Sequence, residues 1–370
     1  MEKRSTVIYR YVMLKNIKVN NVQQSIDSEE RENLFNQRRA YGNERAYWQN
    51  RKEWNEFPNR QYVSDFPLHV DIELSSVCNL SCPMCYTITE EFKSRVHIGL
   101  MDYELFKKIV NECVDGNVFS IRLSLRGEAL LHKKIIDCIK YAKDRGIKEV
   151  STLTNGKRLA DRDFCEKIVA AGLDWITVSI DGVDEIYESI RRPLTFSEII
   201  QAMKNLMQSR DKMNSRKPAI KIQGVWPAVK QNIDAYIDHF TPLSDLIYTN
   251  PLVDYLSCDG PDKIEYVPDF VCYQPFQRLV IASDGKALMC ANDQLGEVDI
   301  GNANSMTVFE LWHSERLQKI REDHSLGHAL DYHTCQTCQI PRVREYEEAE
   351  VKGRRVLIEN YKNRSQTIGK

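Results

Sequence analysis

The stretch Cys78-Asn79-Leu80-Ser81-Cys82-Pro83-Met84-Cys85 places three thiols on eight residues. Thiolates are soft ligands, and closely spaced ones select zinc, copper(I) or iron–sulfur clusters. A zinc site ordinarily shows two Cys-x2-Cys pairs, or pairs of Cys and His, and this stretch has neither. A cubane iron–sulfur cluster takes four thiolates, whereas this loop offers three. A cluster held here would keep one iron open to something other than protein, as a reactive site does and a structural one does not.

Outward from this loop the chain alternates two kinds of segment. Short β-branched, apolar runs at residues 69–74, 119–125, 149–153, 175–180, 220–226 and 246–248 read as buried parallel strands. Between them lie amphipathic stretches at 102–114, 132–145, 161–171, 197–213 and 229–240, two of them stopped by Gly146 and Gly172. Six such units predict an α/β fold with a parallel sheet, and two more would be needed to close a full barrel. Residues 1–66 stand apart: 6–19 reads as a strand. Residues 26–54 read as a polar helix lying solvated against the barrel, anchored by Tyr47, Trp48 and Trp54. The predicted domains are therefore an N-terminal extension (1–66), a barrel (67–255), a C-terminal domain (256–342) and a charged helix (343–370).

In the C-terminal domain the strand–helix rhythm stops. Residues 279–282 and 287–289 read as a hairpin turning at Asp284-Gly285. Four more cysteines gather in this region: Cys272, Cys290, and the pair Cys335 and Cys338. Four thiolates complete a closed site, for zinc or for a fully ligated cluster. Cys113, Cys138 and Cys165 fall in helical stretches and read as core residues. Cys258 lies in a loop between domains, where a thiol could return a hydrogen atom to a substrate radical.

The bulk composition narrows the function classes. With 51 Lys+Arg against 53 Asp+Glu in 370 residues, charge gives no reason to expect a nucleic-acid partner. No apolar run has membrane-spanning length, and residues 1–4 (Met-Glu-Lys-Arg) do not open a secretion signal. Eleven cysteines in such a chain point to metal ligation in a reducing compartment, so a cytoplasmic location is expected.

The spacing Cys-x3-Cys-x2-Cys resembles the signature of the radical S-adenosylmethionine (SAM) enzymes. The later cysteines resemble the twitch form of the SPASM extension of that family, which carries one auxiliary [4Fe–4S] cluster. The resemblance implies a partial (β/α)6 barrel, a SAM-binding [4Fe–4S] cluster on Cys78, Cys82 and Cys85, and an auxiliary cluster on Cys272, Cys290, Cys335 and Cys338. It also implies SAM contacts at Gly127 and Glu128, where Arg126 replaces the first glycine of the family's Gly-Gly-Glu. Further contacts are implied at Asn155, Ser179, Arg191 and Met84, the last beside adenine. Two of these have a plainer reading: Asn155-Gly156 is a common turn, and Arg191 could be a solvated helix-end residue.

A fully ligated second cluster has no iron free to hold substrate, but it can accept an electron. Net two-electron oxidation is the chemistry that follows. The resulting expectation is a radical SAM oxidoreductase that oxidises an alcohol carbon of a sugar or cyclitol, served by a flavodoxin or ferredoxin reductant. Two alternatives remain: a peptide maturase or epimerase, and a non-catalytic zinc or iron–sulfur scaffold. No catalytic base stands out; Asp181 and Glu265 are candidates that the sequence does not rank.

Overall fold

The structure, a computed structural model, describes residues 17, 19, 24–257, 260–364 and 367–368. The N-terminal strand expected over 6–19, apart from Ile17 and Val19, and Cys258 lie outside the described residues.

In chain order the strands are β1 (Gln24–Ser25), β2 (His69–Ile72), β3 (Ser120–Arg122), β4 (Glu149–Thr154), β5 (Trp175–Ser179), β6 (Ala219–Val225) and β7 (Leu246–Asn250). They continue with β8 (Arg278–Ile281), β9 (Lys286–Leu288), β10 (Gly301–Asn302), β11 (Arg344–Val351) and β12 (Arg354–Tyr361). Strands β2 to β7 lie side by side in chain order, each parallel to the next. β8 adds in parallel to the outer edge of β2, so the C-terminal domain continues the barrel sheet. The sheet runs from β1 at one end to β10 at the other, two strands that do not pair with each other, which leaves it open. The fold is thus α/β with a parallel central sheet, as the alternation of segments predicts.

The strands alternate in character, and this decides what the barrel encloses. Val70, Ile72, Ile121, Val150, Ile176, Val178, Ile220, Ile222 and Ile247 are fully buried in the main core. The intervening residues, among them His69, Ser120, Arg122, Glu149, Trp175, Lys221, Gln223, Tyr248 and Asn250, face a central cavity. Successive strand side chains point to opposite faces, so one parity packs the core and the other forms a polar lumen. The helices begin and end as local chemistry dictates. Asp102 caps residues 103–115 by accepting the backbone N–H groups of Glu104 and Leu105 (2.8 and 3.1 Å). Gly146 ends residues 135–145 in the left-handed region (φ +106°).

Two regions differ from expectation. The N-terminal extension is two helices, α1 (Glu29–Ala40) and α2 (Glu44–Arg60), not one solvated helix. They cover the end of the barrel where the strands begin. Phe35 packs with Ala219 and Leu246, Tyr47 packs with Phe119, and Arg39 reaches Glu149 at the start of β4. Trp54 is buried, but Trp48 is 50% exposed and meets only the edge of the Tyr47 ring among the described aromatic contacts. The C-terminal segment is a β-hairpin of β11 and β12, not a charged helix. Lys352 and Gly353, at φ +49° and +75°, form the two-residue left-handed turn that matches strand twist, while Val356 and Ile358 supply β-branched inward residues. Charge density over 344–355 hid that alternation.

Candidate functional site

The three-cysteine loop leaves the end of β2 and is tied down by the loops after the next strands. The Glu128 N–H donates to Val77 O (2.8 Å), Asn155 Nδ2 to Asn79 Oδ1 (2.8 Å), and the Ser81 N–H to Arg192 O (3.2 Å). The Cys85 N–H closes a turn on Cys82 O (3.0 Å). Loops at the C-terminal ends of β3, β4 and β5 thus set the position of the thiols, at the end of the sheet where α/β enzymes bind ligands. Burial raises the Cys78 thiol and pushes Cys82 up to about 11, so thiolates are disfavoured there until a cation arrives.

Gly127 has a steric reason to be glycine. A Cβ there would lie 2.5 Å from Ser76 C, 2.5 Å from Val77 O and 2.6 Å from Ser75 O, all backbone of the cysteine loop. Arg126 is accommodated by a residue that sequence reading missed. It forms a buried, two-pronged ion pair with Glu73, its Nε donating to Oε1 at 2.6 Å, and its Nη1 donates to Gln294 O (3.2 Å). Glu73 also accepts the Ser283 N–H (3.0 Å), so one carboxylate joins the β3 loop to the C-terminal domain.

The Glu128 carboxylate is buried and already engaged. It accepts Thr154 Oγ1 (2.7 Å), the Asn155 N–H (2.7 Å) and the Leu130 N–H (3.0 Å). Burial nevertheless raises its pKa. Asp181 is likewise committed. It accepts Arg191 Nε (2.6 Å) and the Val225 N–H (2.8 Å), so it positions an arginine and is not a free base. Burial opposes the Arg191 charge, but Asp181 together with Cys82 and Tyr187 outweighs it and the pKa is raised. Arg191 Nη1 lies 3.9 Å from Cys82 Sγ, which places a permanent cation beside that thiol rather than on a solvated helix end. Ser179 ends β5 on the lumen parity, and Met84 is half-buried against the core. Glu265 is exposed and pairs with Lys362 (2.8 Å).

The second set surrounds a small cavity lined by Cys272, Cys290, Cys335 and Cys338 with Met289 and His324. Polar groups are aimed at two of its sulfurs. Cys338 Sγ accepts the Ile340 N–H (3.4 Å) and Asn292 Nδ2 (3.5 Å). His324 accepts the Cys272 N–H at Nδ1 (3.4 Å), which leaves its Nε2–H facing Cys335 Sγ (3.7 Å). Burial pushes the His324 pKa down to about 4 and keeps the ring neutral. Four thiolates on one zinc would lie about 3.8 Å apart. Among the described residues no three Cys, His, Asp or Glu gather as ligands of a single metal ion. Sets of three and of four soft donors are the ligand chemistry of iron–sulfur clusters.

The lumen is a cavity of about 500 Å³, and at one end its lining includes Tyr86, next to Cys85, and Tyr273 and Gln339, next to Cys272 and Cys338. Tyr86, Tyr255, Tyr273, Asn292 and Gln339 line its upper end, and the Tyr86 and Tyr255 rings meet edge to face at 5.1 Å. Gln223 Oε1 and Asn250 Oδ1, both buried atoms on the lumen parity, have no hydrogen-bond partner among the described residues. The signal for these residues was in the sequence as polar alternate positions within the strands. It could be read only once the sheet was known to curl around them.

Comparison with known proteins agrees with this geometry. The model of the radical SAM superfamily matches residues 72–214, and that of the SPASM iron-sulfur cluster-binding domain matches residues 272–339. A probable GTP 3′,8-cyclase of Methanococcus maripaludis is 34% identical over 115 residues, 31% of this chain and 37% of that protein. The tungsten-containing aldehyde ferredoxin oxidoreductase cofactor-modifying protein of Pyrococcus furiosus is 27% identical over 160 residues, 42% of each. The chain thus spans less than half the length of these curated relatives. Among solved structures, BtrN in complex with AdoMet and 2-DOIA superposes with TM-score 0.50 at 16% identity, over 73% of this chain and 92% of that one. Streptococcus suis SuiB bound to the precursor peptide SuiA superposes with TM-score 0.52 at 15% identity, over 76% and 72%. At these identities the likeness is one of fold. No described helix is long and apolar enough to cross a membrane.

Proposed function

Because the chain is a member of the radical SAM superfamily with a SPASM iron–sulfur domain, and so an enzyme that uses SAM, a [4Fe–4S] cluster and auxiliary iron–sulfur ligation, we propose that it oxidises an alcohol carbon of a sugar or cyclitol. The single observation that supports this substrate class is the pair of carbonyl oxygens, Gln223 Oε1 and Asn250 Oδ1, that line the lumen without a partner among the described residues. Buried acceptors without partners are costly, and a polyol brings the hydroxyl donors that would satisfy them.

In this reading Cys78, Cys82 and Cys85 hold the SAM-binding cluster, and Cys272, Cys290, Cys335 and Cys338 hold one auxiliary cluster. When bound and reduced, these groups supply a carbon radical able to take a hydrogen atom, and an acceptor for one further electron. The chain's own residues do the positioning. Gly127 lets the β3 loop approach the cysteine loop, Asn155 clamps Asn79, and Asp181 holds Arg191 beside Cys82 with its charge available to a carboxylate. The net change is loss of one hydrogen atom from carbon, one proton from oxygen and one electron. A flavodoxin or ferredoxin supplies the reducing electron that starts each turnover.

Anaerobically reconstituted protein should contain about eight irons per chain, falling to about four in the Cys335→Ala/Cys338→Ala variant. Incubation with carbon-deuterated sugars and cyclitols should move deuterium into 5′-deoxyadenosine and yield a ketone. Deuterium transfer from peptides alone would replace this reading with peptide maturation. Zinc in place of iron would remove the enzymatic reading altogether.

A further inference from the structure

Among the described residues, the lower half of the lumen carries more cations than carboxylates, a feature that the alcohol-oxidation reading does not use. Arg39, Arg51, Arg122, Lys221 and Arg278 line it, against the carboxylates of Glu32 and Glu149, with Asp71 buried beside them. Several of these cations are committed. Arg39 grips both oxygens of Glu149 (3.0 and 2.8 Å), and Arg122 and Arg278 share Asp71 (2.8 and 3.2 Å).

Arg51 is different. Its Nη2 donates to Asn50, its Nε has no partner, and no carboxylate among the described residues bonds it. Its guanidinium lies over the rings of Trp54 and Tyr47, 4.9 and 5.7 Å from their centroids. Trp175 Nε1, also on the cavity lining, is a second buried donor without a partner among the described residues. Lys221 stands over the Trp175 and Tyr248 rings, at 5.4 and 4.9 Å. Donors and positive charge therefore collect at the N-terminal end of the strands, while the unpaired acceptors Gln223 Oε1 and Asn250 Oδ1 sit towards the C-terminal end.

We propose that the substrate is anionic, with a carboxylate or phosphate seated beside Arg51 and Trp175 and its hydroxyl-bearing end towards Gln223 and Asn250. This rests on the small-molecule reading above and narrows it: a cationic aminocyclitol is a poor fit to this cavity, and a sugar or cyclitol bearing an acid is a good one. The guanidinium fork and indole N–H match the oxygens of either anion. Length agrees as well. The run from Trp175 to Ser179 along β5 is five residues, or about 13 Å at 3.3 Å per step. A ligand touching both ends is longer than one ring, and about 500 Å³ is room for it.

The test is calorimetric titration of the anaerobically reconstituted full chain, with SAM present. The probes are glucose, glucosamine, myo-inositol, glucuronate, glucose 6-phosphate and a glutamate-rich hexapeptide. The expected result is saturable binding of the acid-bearing sugars and none of the neutral or aminated ones. The ratio of glucuronate to glucose 6-phosphate affinity tells carboxylate from phosphate. Arg51→Met should weaken that binding about 10–100-fold, Arg51→Lys should recover part of it, and Trp175→Phe should give a smaller loss. Iron content and melting temperature show whether each variant has folded. Equal binding of neutral sugars, wild-type affinity in both Arg51→Met and Trp175→Phe, or no anion binding at all would overturn the proposal. Binding of the acidic peptide alone would keep the anion site and sink the small-molecule reading. Turnover of a neutral sugar would do the reverse.

Discussion

Gly127→Ala is the sharpest probe of how the cysteine loop is held. The Gly127 backbone does not lie in the left-handed region, so alanine carries no conformational penalty and the effect is steric. The added methyl would meet three backbone atoms at 2.5–2.6 Å, whereas ordinary carbon contacts begin near 3.4 Å. Backbone cannot rotate aside, so the β3 loop and the Ser75–Val77 segment must separate by roughly 1 Å. Overpacking of this kind costs about 1–3 kcal/mol. The hydrogen bond from the Glu128 N–H to Val77 O, 2.8 Å long, stretches with it and forfeits about 1 kcal/mol more. Because Val77 adjoins Cys78, the displacement passes directly to the first thiol, and a shift of about 1 Å near a reacting centre lowers rate on the order of 100-fold. The assay is SAM cleavage by dithionite-reduced, reconstituted protein without substrate, with iron content measured on the same samples. Gly127→Ala with full iron and wild-type cleavage would refute the claim that this contact positions the loop.

Other outcomes follow from buried charges. Arg126→Gly, which restores the family's glycine, strands Glu73 without its partner and should destabilise the chain by roughly 3–5 kcal/mol in denaturant melts, with Glu73→Gln in the same chain recovering part of the loss. An unchanged midpoint for Arg126→Gly would dissolve that link between barrel and C-terminal domain. Lys221 is held by burial at a pKa of about 7, below its usual 10.5. Above pH 7 the folded chain carries a neutral amine while the unfolded chain stays protonated, so the unfolded state binds more protons and wild-type stability rises from pH 7 towards 10.5. Lys221→Met should therefore be more stable than wild type at pH 7, with an advantage that shrinks by about 2–3 kcal/mol by pH 9. A pH-independent difference would show that the amine is not desolvated.

What could be read along the chain was local chemistry. Three thiols on one loop, a Cys-x2-Cys pair after a hairpin, Asp102 ahead of a helix and Gly146 behind one all declare themselves within a few residues, because ligand spacing, capping and turn geometry act over one or two turns of backbone. Six strands were legible for the same reason. What the tertiary structure alone decided involves partners far apart in sequence. Glu73 answers Arg126 across 53 positions, Arg39 answers Glu149 across 110, and the Asp181–Arg191 pair takes the arginine out of solvent and the carboxylate out of general-base duty. The tail became a hairpin because inward Val356 and Ile358 outweighed a dense run of charge. The polar lumen is the largest such case. A lysine, a glutamine and two arginines at alternate strand positions look like interruptions of an apolar pattern until the sheet curves and brings them onto one wall. Their energies are electrostatic and depend on which distant groups share the same enclosed space, a quantity that no stretch of sequence contains by itself.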